Sequence, residues 1–434
     1  MARVAVVGGG FGGMAVSARL AKLGHQVTLL ERGPRLGGAL ARVQRDGFAW
    51  DGGPTYTSLP AVVRDLFRKT GRPAERELEL VTLDVLREHR FADGSSIRLP
   101  SSRAGQIHAV DGLGPGLGSR WADHVQSYAD DWEVLRREYL ERPWNPDDLA
   151  APLADRLRSR ESLARRAKRL KDDRLRLMAL HPSIAEGHQP RDVPAWVGVT
   201  AYVEQRFGAW TVTGGMAALA EALSTRLETR KVEVRTGIDV RDLVLRRGLA
   251  VAVDTAEGEV DADVVVVACD PRRLPGLAPL VRRTMPALPP VVCHLGLEGE
   301  LPALSHETVL HGSPTEPTLV VRTGGQAPAG AAAWTLHGHG RIDEDLLVAL
   351  VRRGIDLRSQ VVTRVDRSPR DLVEQWGGSP LGVLWQGRQT AFRRLGPATP
   401  VGGVFAVGAH ATPGAGLPYV GLSAALVTQL VGPA

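Results

Sequence analysis

Apolar residues follow changing rhythms along the chain. Residues 4–7 are an unbroken apolar run, glycines interrupt it, residues 15–23 are helix formers, Gly24 closes that stretch, and residues 27–30 are apolar again. That order predicts a strand, a helix and a second strand, a βαβ unit. Residues 57–70 carry helical spacing, and 77–99, with ADGSS as the turn, predict a hairpin. Helical spacing then dominates from 117 to 178 and breaks at RPWNPDD, where Pro143 and Pro146 disfavour continuation. A second βαβ-like rhythm follows, with a helix at 216–227, a strand at 232–235 and a hairpin at 243–260. The unbroken apolar run at 264–269 within ADVVVVAC predicts a strand buried on both faces, as in a parallel sheet. Residues 291–297, 317–322 and 333–338 predict an antiparallel sheet, with a helix at 344–353 after it. A strand at 403–407, a glycine-rich turn and a helix close the chain. The last stretch, 417–434, has no charge, but Pro418, Ser423, Thr428 and Gln429 interrupt it, which predicts a buried helix rather than a membrane span.

The dinucleotide-type pieces therefore lie at the start, middle and end. The expected fold is α/β: a discontinuous Rossmann-type domain of residues 1–75, 211–285 and 385–434, with an inserted mixed α+β substrate-binding domain of residues 76–210 and 286–384 that carries a helical insertion. A length of 434 residues, beyond what one core usually fills, supports two domains.

Composition narrows the function. Hydrophobic residues at 43% and charged residues at 24% are globular values, which excludes a disordered chain. The net charge of +6 is spread over the whole length, so no nucleic-acid partner is expected. The densest basic stretch, 156–178, spaces Leu163, Ala167, Leu170 and Leu177 helically between Arg and Lys. It predicts one amphipathic helix with a cationic face, either a solvated outer helix or a peripheral contact with anionic lipid head groups. Two cysteines, Cys269 and Cys293, without paired spacing indicate neither a disulfide framework nor a zinc site. The first strand begins almost at Met1, which leaves no room for a signal peptide and points to a cytoplasmic protein, with attachment at the membrane surface as the variant reading.

The chemistry sits at the ends. In GGGFGG, Gly8, Gly10 and Gly13 satisfy G-x-G-x-x-G directly after a strand and at the start of a helix. These glycines permit the turn, the approach of a pyrophosphate and close packing of helix on strand, and the helix N-terminus offers unpaired N–H groups. Glu31, ending the second strand, is placed to accept hydrogen bonds from a ribose. The nucleotide is NAD or FAD on these grounds. Gly37-Gly38 and Gly52-Gly53-Pro54-Thr55 add two more exposed turns suited to an elongated ligand.

The chain resembles FAD-dependent oxidoreductases of the phytoene desaturase (carotenoid desaturase) type, within the amine oxidase-like flavoprotein superfamily. The likeness rests on GGGFGG with Glu31-Arg32, LGGA, DGGPT, FGAWTVTGGMAALAEAL at 207–223, ADVVVVACD, and VGAHATPGAGLP near the end. It implies an FAD-binding domain in which Gly8, Gly10, Phe11, Gly12, Gly13, Glu31 and Arg32 hold the ADP half and Gly37, Gly38 and Ala39 lie along the pyrophosphate. It also implies that Gly53, Pro54 and Thr55 approach the flavin, that Val240 pairs with adenine, and that Gly408, Pro418, Tyr419 and Val420 border the ribityl chain and ring. Two positions depart from the pattern: Ala39 stands where an arginine is usual, with Arg35 and Arg42 nearby, and Thr412 stands where histidine is frequent, with His410 two residues earlier.

None of the twelve histidines has metal-ligand spacing, and His337 and His339 alternate on a predicted strand in a structural or solvent role. His410 is the candidate for a polar or acid-base role, against a turn residue held by backbone. Cys269 reads as core and Asp270 as a cap. No hydrolase or kinase constellation is present. The resulting expectation is an FAD enzyme of carotenoid biosynthesis type that removes hydride to the flavin and a proton from the adjacent carbon of an apolar isoprenoid or polyene, with reoxidation by oxygen, a quinone or another acceptor that the sequence does not identify. The alternatives are an amine oxidase-like or secondary-metabolite tailoring flavoenzyme, and a non-catalytic prenyl-lipid-binding protein on the same fold.

Overall fold

A computed structural model describes residues 1–313 and 316–434. Five parallel strands form one sheet in the order Val404–Ala406, Val264–Val267, Arg3–Val7, Gln26–Glu31, Glu233–Thr236. The central strand alternates sides, as a pleat requires. Val4 and Val6 enter a core shared with the helices Phe11–Lys22, Ala217–Thr229 and Leu417–Val431. Ala5 and Val7 enter a second core against the antiparallel strands Val240–Arg246 and Leu249–Thr255, which continue to Gly258–Asp261. Both termini thus belong to one layered unit, and their strands lie two places apart.

A seven-stranded sheet runs Val361–Arg367, Val291–Glu298, Ala331–His339, Thr318–Gly325, Glu307–Leu310, Val85–Arg90, Ser96–Pro100. Neighbours are antiparallel except Glu307–Leu310 beside Val85–Arg90. One face carries Leu295, Val321, Trp334 and Leu336 against the helix Leu346–Arg352. Period-two alternation sends Glu307, Arg322 and His337 to the other face.

Three expectations change. The hairpin at 77–99 is Val85–Arg90 with Ser96–Pro100, whereas Leu80–Leu83 pairs with Ala209–Val212. The strands Glu307–Leu310 and Val361–Arg367 were not foreseen. The basic stretch 156–178 is not one helix: Ala151–Arg158 ends at Ser159, Leu163–Ala167 starts anew with the Ser162 hydroxyl accepting from the Arg165 N–H, and Lys171 takes φ 54° before Asp173–Ala185. A left-handed residue cannot continue a right-handed helix, so the leucines pack from separate short helices and no continuous cationic face forms.

Candidate functional site

The opening strand runs into Gly8, whose φ of 108° suits glycine, and the helix Phe11–Lys22 follows with Gly10 as its cap. The first intrahelical bond is Met14 N–H to Gly10 O at 3.0 Å, so the earlier N–H groups are the orphan donors of a helix N-terminus. Gly13 packs the helix onto the strand: a Cβ there would meet Gly8 O at 1.9 Å. At Gly10 a Cβ would meet nothing closer than Gly38 Cα at 3.9 Å. Glu31 ties the turn together, with Oε2 accepting from Gly9 N and Oε1 from Gly33 N, both at 2.6 Å.

The other end of the chain comes to the same place. A Cβ on Gly12 would lie 3.1 Å from both Gly408 Cα and Val420 Cγ1. The Ser423 hydroxyl accepts from Gly408 N at 3.3 Å and donates to Thr412 O at 2.8 Å, pinning the closing turn to the last helix. Between these turns runs a cavity of about 1030 Å³, at the upper end for small-molecule sites.

That cavity is lined by Gly8, Gly10, Phe11, Gly12, Glu31, Arg32, Gly37, Gly38, Ala39, Gly53, Pro54, Thr55, Val240, Gly408, His410, Pro418, Tyr419 and Val420. Gly13 alone of the candidates stands behind the wall, in the packing position just described. Beside Ala39, Arg35 and Arg42 both line the cavity. Arg42 bonds Gln326, Gly214 O at 3.3 Å and Glu221 at 3.2 Å, and its buried Nε has no partner among the described residues. A glycine-lined cradle, a helix N-terminus and an unpartnered arginine nitrogen fit a bound dinucleotide diphosphate.

His410 is buried, with Nε2 2.9 Å from Ser379 O and Nδ1 3.7 Å from Asp270 Oδ1. Burial lowers its pKa against the opposing pull of Asp270. Asp270 caps a short turn through the Arg272 N–H at 3.0 Å, and Cys269, expected in the core, packs against the second core and also borders the cavity.

Sequence reasoning missed the opposite wall. Arg87 makes a two-pronged contact with Glu204 at 2.7 and 3.0 Å, reaches Glu307 at 3.1 Å and donates to the Tyr56 hydroxyl at 2.6 Å. Arg322 reaches the other Glu307 oxygen at 2.9 Å. Burial alone would raise the Glu307 pKa, yet Arg322, His181 and Arg87 hold it well below the usual carboxylate range. His181 and His337 also line this part, both with pKa values lowered by burial. Glu186, on the same cavity wall with its side chain 39% exposed and Oε2 3.8 Å from His188 Nε2, is pushed up to about 7 by partial desolvation despite Arg394, with Glu204 adding to the rise. The alternation H-G-H at 337–339 was the one legible signal of this polar face; the structural role expected for both histidines suits His339, which is buried beside His337, while His337 borders the cavity.

Residues 11–429 match the family described as flavin containing amine oxidoreductase. Over 497 aligned positions the chain is 27% identical to a 4,4'-diapolycopene oxygenase of Methylomonas sp, covering 99% of this chain and 98% of that one. Against a zeta-carotene-forming phytoene desaturase of Myxococcus xanthus it is 28% identical, covering 98% and 93%. A solved putrescine oxidase bound to putrescine superposes with a TM-score of 0.68 over 99% of this chain and 98% of that one; its 16% identity speaks to the fold.

Proposed function

The chain belongs to the flavin containing amine oxidoreductase family, and from that premise we propose that it desaturates an apolar polyene or isoprenoid, removing two hydrogens from adjacent carbons. It is an FAD-dependent oxidoreductase of the phytoene desaturase type. The observation that carries the proposal is the meeting of the two glycine turns, Gly12 against Gly408, on one cavity that continues past Tyr419 and Glu186. In this reading residues 1–75, 211–285 and 385–434 form the cofactor cradle, and 76–210 with 286–384 form the substrate chamber.

Bound FAD supplies the hydride acceptor. The helix N-terminus at 11–13 and Arg42 would hold the diphosphate, Glu31 would face the ribose and Val240 the adenine. Gly53, Pro54, Thr55, Gly408, Pro418, Tyr419 and Val420 would border the ring, where the N-terminus of Leu417–Val431 would favour negative charge. Burial holds the substrate, at about 0.8 kcal/mol per CH₂. We assign proton removal to Glu186, which lines the cavity close enough to Tyr419 to raise its pKa and, at about 7 itself, is near the operating range of a general base.

Such a substrate partitions into membranes, and we place the docking surface at 280–290. Leu280, Met285 and Leu288 are 39%, 53% and 66% exposed, and Arg282 and Arg283 between them form no ion pair among the described residues. The segment bonds the cavity rim, with Leu384 N–H to Met285 O and Ala287 N–H to Gly382 O both at 2.8 Å, and Pro290 and Leu381 line the cavity. Among the described residues no helix is long and apolar enough to cross a membrane, so contact is by this patch rather than a span.

Anaerobic mixing of the FAD-loaded protein with an acyclic polyene tests the proposal. Bleaching of the flavin band is expected. Persistent colour with polyenes together with bleaching by a polar amine overturns it.

A further inference from the structure

A chamber built only for hydrocarbon has no use for buried ion pairs, yet this one carries a network of four paired charges on its wall, besides Glu186. Arg87 and Arg322 are balanced by Glu204 and Glu307, and all four are buried or nearly so, with side-chain exposures of 4%, 17%, 6% and 3%. Arg87 directs its bonds at protein. Arg322 does not use all of its donors: Nε goes to Glu307, Nη1 to Gly53 O at 3.3 Å, and Nη2 has no hydrogen-bond acceptor among the described residues. His181 is 2% exposed and its Nδ1 is without a partner, while its Nε2 stands 3.9 Å from Glu307 Oε1. His337 makes no hydrogen bond among the described residues.

The three groups come from Thr318–Gly325, Asp173–Ala185 and Ala331–His339, and all border the same cavity. The free donor of Arg322 and the unbonded ring of His337 are left to be satisfied from the cavity, since polar groups away from bulk water are ordinarily paired; His181 Nδ1 is closed off from it. Resting on the desaturase reading above, we propose that Arg322 and His337 bind an uncharged oxygen function, a hydroxyl or a carbonyl, carried by the apolar substrate, so that oxygenated polyenes and isoprenoids are selected over bare hydrocarbons.

Charge balance decides against an ionic group. Two arginines meet two glutamates, and burial lowers the pKa of both histidines, so a carboxylate placed there would lack a counter-charge, while the free Arg322 donor repels an ammonium. A hydroxyl accepts from Arg322 and donates to a ring nitrogen of His337; a carbonyl accepts from Arg322. Hydrocarbon does neither, and a site built to hydrogen-bond an oxygen rejects the analogue lacking it. Because Arg322 is also tied to Gly53 O, the oxygen would be fixed beside the turn at 52–55 and would set which carbons lie against the cofactor.

The test is equilibrium binding to the oxidised holoenzyme, read as perturbation of the flavin absorption band, with geranylgeraniol, its hydrocarbon counterpart and its carboxylic acid counterpart. The alcohol is expected to bind about tenfold tighter than the hydrocarbon, and the acid no tighter than the alcohol. Arg322→Met is expected to bring alcohol and hydrocarbon within about twofold of each other. His337→Phe, which breaks no ion pair, serves as a variant that spares the network and is expected to narrow the gap. Equal binding of alcohol and hydrocarbon by the unaltered enzyme, or tightest binding of the acid, overturns the oxygen site while flavin bleaching by polyenes leaves desaturation standing. Failure of every polyene to bleach the flavin removes the premise instead.

Discussion

Gly10 and Gly13 are one helical turn apart and serve opposite ends. An alanine at 13 would drive its Cβ to 1.9 Å from a backbone oxygen, whereas at 10 it would project into open cradle. Gly13→Ala is therefore expected to lower the melting temperature of the apoprotein and abolish FAD retention. Gly10→Ala should leave the apoprotein's melting temperature unchanged and still lose FAD, measured by absorbance after gel filtration. Glu186 gives a pH signature. As a base it works deprotonated, so turnover should rise with pH through about 7, and Glu186→Gln should flatten that profile and cut the flavin reduction rate by about a hundredfold without releasing FAD. The glycines were legible because a phosphate turn is local and its spacing is written within six residues. The polar wall was not: Arg87, Glu204, Glu307 and Arg322 are scattered over more than two hundred positions and meet only through sheet pairing and one helix.

Single elements carry the next level. The closing helix is held to its turn by Ser423, whose hydroxyl bonds Gly408 N and Thr412 O in a buried setting. Ser423→Ala should cost about 1–2 kcal/mol of stability, seen as a lower denaturation midpoint, and speed FAD loss. At the cavity rim, Met285→Ser with Leu288→Ser should abolish flotation with anionic vesicles while the flavin spectrum stays as it was; unchanged flotation would place the docking surface elsewhere. The nucleotide-side strands were legible because they are short, apolar and framed by glycine. Glu307–Leu310 was hidden because a buried glutamate opens it, which only its two arginine partners make tolerable. Val361–Arg367 does alternate, with Thr363 and Val365 buried, but exposed charges mask the period in a strand at the sheet edge. The basic segment failed as one helix because helical spacing cannot register the left-handed Lys171.

At the scale of the whole molecule, buried histidines set an acid limit. Burial lowers His124 and His294 to about 4 and His188 and His339 to about 3, from an ordinary 6.5. The unfolded chain binds these protons below pH 6.5 and the folded chain does not, so stability is full above 6.5 and falls as pH drops towards 4. At pH 5 each contributes a loss of about 1–2 kcal/mol, and thermal melting should come several degrees lower there than at pH 7.5. Above these details stands one claim: the two ends of the chain close on a single FAD and hold a polyene against it. A single anaerobic turnover, with the organic product weighed by mass spectrometry, tests this most directly. A polyene lighter by two hydrogens, formed in step with loss of the flavin band, is the predicted result. An unchanged polyene beside flavin that only an amine can bleach would contradict it.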